Sequence, residues 1–205
     1  MRRFSYAVLS LAGLSLMSAC STPANPRIYT LQGEAVQAVQ AGQGPQRLID
    51  LAPVIVPERV MRRQLVLRDS QTQLKVLEQD RWSSLLPDEL GNALSDALQH
   101  RLQALDVGQV GGGSAGLPVY RINTEVSRLD ASLGGQVQAT VGWSVRRVGT
   151  DRVQTCVGQF QQEAGETVAS VVQAHQRLVQ RLADAIAASQ QVVDAQGQAP
   201  YCRAG

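Results

Sequence analysis

Two segments of this sequence place apolar and polar residues at alternating positions over long stretches. In the first, Tyr120, Ile122, Thr124 and Val126 alternate with polar side chains, and in the second the alternation runs over 137–145. A period of two is typical of a strand that buries one face and exposes the other. Only a short connection separates the two segments, so we predict that they pair as long antiparallel strands.

Shorter apolar and β-branched runs, bounded by turn residues, predict further strands on both sides of this pair. The predicted strands lie at 28–31, at 48–56, in a hairpin of 64–68 with 73–77, and at 152–162.

Two other segments repeat apolar residues every three or four positions, which is the spacing of an amphipathic helix. The first helix is predicted from Leu86, Leu90, Leu94, Leu98, Leu102 and Leu105. The second is predicted from Val168, Val171, Val172, His175, Leu178, Val179, Leu182, Ala185 and Ile186. Ser83 or Ser84 is the predicted N-cap of the first helix, and Asp88 and Glu89 suit its first turn.

The order of these elements is strands, helix, strands, helix, and a hydrophobic content of 44% is sufficient to form a core. Blocks of strands separated by helices are typical of an α+β domain. We therefore predict an α+β fold in which two amphipathic helices pack on a mainly antiparallel sheet.

The first twenty residues have the three zones of a bacterial export signal. Two arginines begin the segment, and an apolar run of about 14 residues follows, shorter than the roughly 20 needed to span a bilayer. Two small residues then precede Cys20, an arrangement that resembles the lipobox of bacterial lipoproteins. We predict a signal peptide over 1–19 and acylation of Cys20; the alternative is an ordinary secretory signal.

The residue after the predicted lipid anchor indicates which of the two bacterial membranes carries the protein. Ser21 follows Cys20, where lipoproteins retained at the inner membrane typically have Asp. By that resemblance the protein is anchored in the outer membrane and faces the periplasm. We assign 20–27 to a lipidated tether, 28–190 to the folded domain and 191–205 to a C-terminal tail.

The charge of the mature chain is balanced. Removing Arg2 and Arg3 from the 19 Lys and Arg residues leaves 17, equal to the 17 Asp and Glu residues. A neutral domain gives no electrostatic reason to expect nucleic acid as a partner. The predicted lipid is then the expected contact with a membrane.

Two cysteines remain once Cys20 carries lipid, and the periplasm is an oxidising compartment. We predict that Cys156 and Cys202 form a disulfide, with two free thiols as the alternative. The closed loop of about 47 residues would contribute up to about 4 kcal/mol on the chain-entropy description of disulfides.

The glycine-rich segment 111–116 matches two catalytic patterns, G-x-S-x-G around Ser114 and G-x-G-x-x-G. Both patterns require a helix directly after the turn, whereas Pro118 and a strand follow here. His100 and His175 have no His or Cys at metal-ligand spacing, and His175 lies on an apolar helix stripe, typical of a core residue. We expect no catalytic residue, metal or cofactor; a hydrolase at Ser114 is the enzymatic alternative.

Four features, taken in order, resemble one known family. Tyr29-Thr30-Leu31 follows the lipobox, and Arg81-Trp82 with Leu85 precedes the first helix. Between these two motifs, five residues match those typical of the family: Pro57, Glu58, Arg62, Gln64 and Val66. The two long strands and the terminal helix complete the order. The mature chain is similar to the PqiC-like ABC-type transport auxiliary lipoproteins.

The resemblance implies a supporting role in the transport of lipids between membranes. It implies an outer-membrane docking component for a periplasmic MCE-domain protein, linked to an inner-membrane ABC transporter and supporting envelope integrity. The chain would have no ATPase or other enzymatic activity, and a homo-oligomer is compatible with this role. The alternative is a lipoprotein that itself binds a lipid or small apolar ligand between sheet and helices.

Overall fold

A computed structural model of the chain describes residues 25–33, 44–110, 116–195 and 202–204. The strands are β1 Arg27–Tyr29, β2 Arg47–Leu51, β3 Gln64–Arg68, β4 Leu74–Trp82, β5 Ala104–Asp106, β6 Val119–Ala131, β7 Gln136–Arg147, β8 Val153–Glu163 and β9 Cys202–Ala204. The helices are α1 Leu86–Leu102, α2 Val107–Val110 and α3 Val168–Asp194, and a 3-10 turn covers Glu58–Val60.

The strands form two sheets. The larger has six strands in the order β5-β2-β6-β7-β8-β9, and the smaller has three in the order β1-β4-β3. The long strands β6, β7 and β8 are antiparallel, whereas β1, β2, β5 and β9 pair in parallel. The α+β fold class is confirmed, but the sequence predicted one sheet and the structure has two. Among the described residues, the β3–β4 hairpin pairs with the short β1 and with no strand of the large sheet.

The alternating pattern that predicted β6 and β7 matches the burial of their side chains. Tyr120, Ile122, Thr124 and Val126 are buried in β6, and every second residue of β7 from Val137 to Val145 is buried as well. One face of the large sheet therefore packs against the helices, and the other faces solvent.

Both predicted helices form, with different ends. α1 ends at Leu102, because Gln103 adopts a left-handed conformation with φ 48° and the chain turns into β5. Leu105, predicted in the helix, lies in that strand. α3 begins at a capping box between Thr167 and Ser170, and it continues to Asp194, four residues into the predicted tail.

The main core lies between α1, α3 and the large sheet. Trp143 of β7 is buried there against Phe160, with ring centroids 6.1 Å apart, and its indole Nε1 donates to Ser189 Oγ of α3 at 2.9 Å. Leu98 of α1 and Ile186 of α3 are fully buried in the same cluster. The helices therefore cover one face of the large sheet, and no described element covers the other.

Candidate functional site

The chain enters the small sheet at β1, seven residues after the predicted lipid anchor. Arg27 Nε and Nη2 donate to the two carboxylate oxygens of Asp80 at 2.6 and 2.7 Å, and the Tyr29 hydroxyl donates to Asp80 at 3.2 Å. The hydrogen bonds from Arg27 hold the pKa of Asp80 below its usual value, although burial opposes this. A three-residue edge strand is weak by itself, so this ion pair fixes where β1 docks on β4.

A second buried carboxylate, Glu89 in the first turn of α1, joins three separate segments. Its side chain is 3% exposed. Five groups donate to it: Thr30 Oγ1, Leu31 N, Ser83 Oγ, Ser84 N and Ser84 Oγ. Burial alone would raise the pKa of Glu89, but these hydrogen bonds outweigh it and the pKa lies below its usual value. Glu89 thus links the chain after β1, the end of β4 and the start of α1.

The two serines have a different role from the predicted one. The N-cap of α1 is Leu85, which has no side-chain cap, and Ser83 and Ser84 instead bind the carboxylate of Glu89. The expectation of a serine N-cap was therefore wrong, because β4 extends to Trp82 and the serines lie in the turn that follows it.

A third carboxylate connects the small sheet to the large one. Asp130 in β6 accepts from Arg68 Nε of β3 at 3.0 Å and from Arg128 Nε at 2.6 Å. Burial of Asp130 would raise its pKa, but the two guanidinium groups bring the pKa below its usual value. The contact between the sheets is therefore partly ionic.

A small cavity lies between the small sheet, the end of β6 and α3. Its volume is about 20 Å³, and Leu65, Trp82, Leu129 and His175 are among its lining residues. Such a space holds about one water molecule, whereas pockets for ligands of lipid or drug size have roughly 300 Å³ or more.

His175 is a buried member of the core beside this cavity. Its ring lies edge-on to Trp82 with centroids 5.5 Å apart, and its Nδ1 lies 2.8 Å from the Val171 carbonyl oxygen. Burial lowers the pKa of His175 to about 4, so the side chain is neutral at pH 7. The other histidine, His100, lies exposed on α1.

The solvent-facing side of the large sheet has a row of residues with a gap in its middle. Ile55, Glu125, Gly142 and Val157 are neighbours across successive strand positions. Ile55 is 60% exposed and Val157 52%. A Cβ at Gly142 would meet only the backbone oxygens of Cys156 and Glu125, at 3.9 and 4.0 Å, so a side chain fits at this position without a clash. We call Ile55, Gly142 and Val157 the glycine notch.

The predicted site residues are placed as follows. Cys20 and Ser114 lie outside the described residues. Cys156 and Cys202 occupy paired positions of β8 and β9, with Cα atoms 4.5 Å apart and sulfur atoms at bonding distance. Over the described ranges, no three His, Cys, Asp or Glu side chains are arranged to hold a metal ion.

Comparison with known sequences places the chain in a family. The sequence pattern of the ABC-type transport auxiliary lipoprotein component matches residues 29–187. The chain belongs to this family. As an ABC-type transport auxiliary lipoprotein, it is a membrane-anchored component that assists an ABC transporter. None of the helices in the described part of the chain is long and apolar enough to cross a membrane.

Two solved structures share the fold of this auxiliary lipoprotein. An uncharacterized protein is 17% identical, with a TM-score of 0.64, over 80% of this chain and 97% of its own. A Xanthomonas campestris protein of family DUF330 is 13% identical, with a TM-score of 0.58, over 83% of this chain and 98% of its own. No curated protein sequence matches. At these identities the similarity establishes the fold alone.

Sequence reasoning missed the three carboxylates and the glycine notch. Asp80 had a signal, since it lies two residues before Trp82 and so faces the same buried side of β4. Gly142 had one too, because a glycine inside a strand often marks a place where another molecule approaches closely. The partners of Glu89 come from segments 5 to 59 residues away, and no local pattern identifies them.

Proposed function

We propose that this auxiliary lipoprotein is a non-enzymatic docking component of the outer membrane. In this proposal Cys20 carries the lipid, and the domain faces the periplasm. There it binds an MCE-domain protein that forms part of a lipid conduit linked to an inner-membrane ABC transporter. The basis is family membership together with the lipobox-like sequence and the Ser that follows it.

The glycine notch is the observation that carries the docking role. The helices occupy one face of the large sheet, whereas Ile55 and Val157 expose apolar side chains on the other. Between them, Gly142 leaves room for a protruding side chain or backbone of a partner. Glu125 lies between Ile55 and Gly142 in this row, and the polar residues Asn123, Gln159 and Gln161 lie on the same face. Exposed apolar side chains among polar ones are typical of an interface between separately stable proteins.

The small cavity counts against the alternative of a lipid-carrying domain. A cavity of about 20 Å³ beside His175 cannot hold an acyl chain. If the domain carried a ligand instead, native mass spectrometry of the purified protein would detect a bound lipid of defined mass.

Site-specific photo-crosslinking in intact envelopes tests the proposal. Benzoylphenylalanine at Val157 should crosslink to an MCE-domain protein. The matched control is the same group at Gln173, which is exposed on α3, on the covered side of the sheet. Crosslinks from both positions, or from neither, contradict docking at the notch.

A filled notch gives a second test. Gly142→Gln should reduce recovery of the MCE protein about tenfold or more while leaving the melting temperature unchanged, because a side chain fits at this position without a clash. Thr140→Gln, two residues away on the same face of β7, is the control and should co-purify normally. Equal recovery from the two variants would exclude the notch as the contact.

A further inference from the structure

One end of the small sheet has a distinct surface. β1 and β4 run in the same direction and β3 runs opposite, so the ends of β1 and β4 lie beside the start of β3. Ile28, Arg81 and Gln64 form a row across these three strands. Together with the adjoining chain this edge forms what we call the basic rim, which consists of Ile28, Met61, Arg62, Arg63, Arg81 and Leu85.

The rim combines exposed apolar side chains with cations. Ile28 is 53% exposed, Met61 51% and Leu85 44%. Arg62 and Arg63 are also exposed. These three large apolar side chains at one edge of a small sheet are not explained by the packing of the domain.

The positive charge of the rim is not neutralised by neighbouring carboxylates. Arg63 Nη2 donates to the Ser83 carbonyl oxygen at 2.5 Å, and Arg81 Nε donates to the Glu78 carbonyl oxygen at 3.0 Å. Within the described ranges, no rim arginine forms an ion pair. The nearest buried carboxylates, Asp80 and Glu89, are engaged by their own donors.

The tether limits how far the rim can lie from the membrane. Six residues lie between Cys20 and Arg27, and the seven residue-to-residue steps of a fully extended chain span at most about 25 Å. Arg27 is the first residue of β1, and the next residue, Ile28, belongs to the rim. Lipid on Cys20 therefore holds this edge of the domain close to the bilayer surface.

We propose that the basic rim binds the anionic surface of the membrane that carries the lipid anchor. Ile28, Met61 and Leu85 enter the headgroup region, and the arginines meet lipid phosphates. Apolar side chains interspersed with arginines are the composition of surfaces that lie in a membrane interface. The contact fixes the orientation of the domain on the bilayer, which a tether alone leaves free. This inference rests on the anchor of the proposed function.

Vesicle binding by the mature chain without its lipid isolates the rim. The Cys20→Ser variant of residues 20–205 removes the acyl chains and none of the described contacts, which begin at residue 25. It should sediment with vesicles of three parts phosphatidylethanolamine to one part phosphatidylglycerol. Binding to pure phosphatidylcholine vesicles should be at least about tenfold weaker, because each arginine near an anionic surface contributes roughly fivefold to partitioning.

Paired substitutions complete the test. In the Cys20→Ser background, Arg62→Ala with Arg63→Ala should weaken binding to the anionic vesicles about 25-fold. Arg146→Ala with Arg152→Ala removes the same charge near the β7–β8 turn and should leave binding unchanged, with circular dichroism confirming the fold of each variant. Equal binding by the two double variants would overturn the inference. The anchor is tested separately by the mass of the acylated Cys20 peptide, so its failure is distinguishable.

Discussion

The two sheets of this protein are attached to the rest of the domain by different kinds of contact. In the large sheet, the face that meets α1 and α3 is almost wholly apolar, with Val141, Trp143 and Val145 buried in the central strand. The small sheet adds Leu65, Leu67 and Trp82 to the same core, but buried carboxylates also hold it: Glu89 and Asp130 join it to α1 and β6, and Asp80 joins β1 to β4. Apolar burial is nondirectional, whereas a carboxylate with defined donors fixes one geometry.

The difference matters because the small sheet holds the proposed membrane contact. Its three strands contribute fewer apolar side chains to the core than the large sheet does, chiefly Leu65, Leu67 and Trp82. Buried ion pairs add little net stability compared with apolar residues, but removing one partner is costly. Loss of the Glu89 carboxylate should therefore affect the small sheet more than the large one, whereas truncation of Trp143 should weaken the core of the large sheet.

Truncation in the large core should give the largest effect. Trp143→Ala removes the indole that packs on Phe160 and leaves Ser189 without its donor, so the free energy of unfolding should fall by about 4 kcal/mol. Chemical denaturation followed by circular dichroism measures this. Val148→Ala, at an exposed position, is the control and should change stability by less than about 0.5 kcal/mol.

Reduction of the predicted disulfide tests how much the edge of the large sheet depends on a covalent bond. Without reductant, the folded Cys20→Ser chain should show no iodoacetamide labelling at Cys156 or Cys202. Reduction should lower the free energy of unfolding by up to about 4 kcal/mol, because the unfolded chain regains the freedom of a long loop. Labelling of both thiols before reduction would disprove the bond.

Glu89→Gln should break the small sheet more than the large one. The amide NH₂ replaces one of the two carboxylate oxygens and so faces either the donors of Thr30 and Leu31 or those of Ser83 and Ser84. Unfolding should therefore become easier by about 3 kcal/mol. Hydrogen exchange should accelerate more in β1 than in β7. The neighbouring exposed Asp88→Asn is the matched control; if it has an equal effect, the Glu89 cluster does not hold the sheet.

His175 should make the junction between the sheets sensitive to acid. Burial lowers its folded-state pKa from 6.5 to about 4, so the unfolded chain binds the additional proton between these values. The contribution of neutral His175 to the free energy of unfolding, about 3 kcal/mol, is present above pH 6.5 and is lost as the pH falls to 4. Denaturation at pH 7, 5.5 and 4 measures the slope, which His175→Leu should flatten and the exposed His100→Gln should preserve.

The comparison also shows which parts of the fold were predictable. The alternation in β6 and β7 and the helical spacing in α1 and α3 could be predicted because each pattern repeats within a single element. In each element the pattern marks the apolar face that is buried in the core. The ends of the elements were predicted less accurately, because tertiary contacts determine where a strand or helix stops. The strand predicted over 48–56 ends at Leu51, and α1 ends before Leu105, since parallel pairing of β2 with β5 and β6 determines both ends.

By itself, the sequence determined the α+β class, the two amphipathic helices and the expectation of an anchored lipoprotein, because periodicity and the lipobox-like segment are encoded by adjacent residues. Only the tertiary structure decided that there are two sheets and that Glu89 gathers donors from three segments. It alone placed Ile55, Gly142 and Val157 in one row. Contacts across long sequence separations depend on strand register, which no local pattern specifies here.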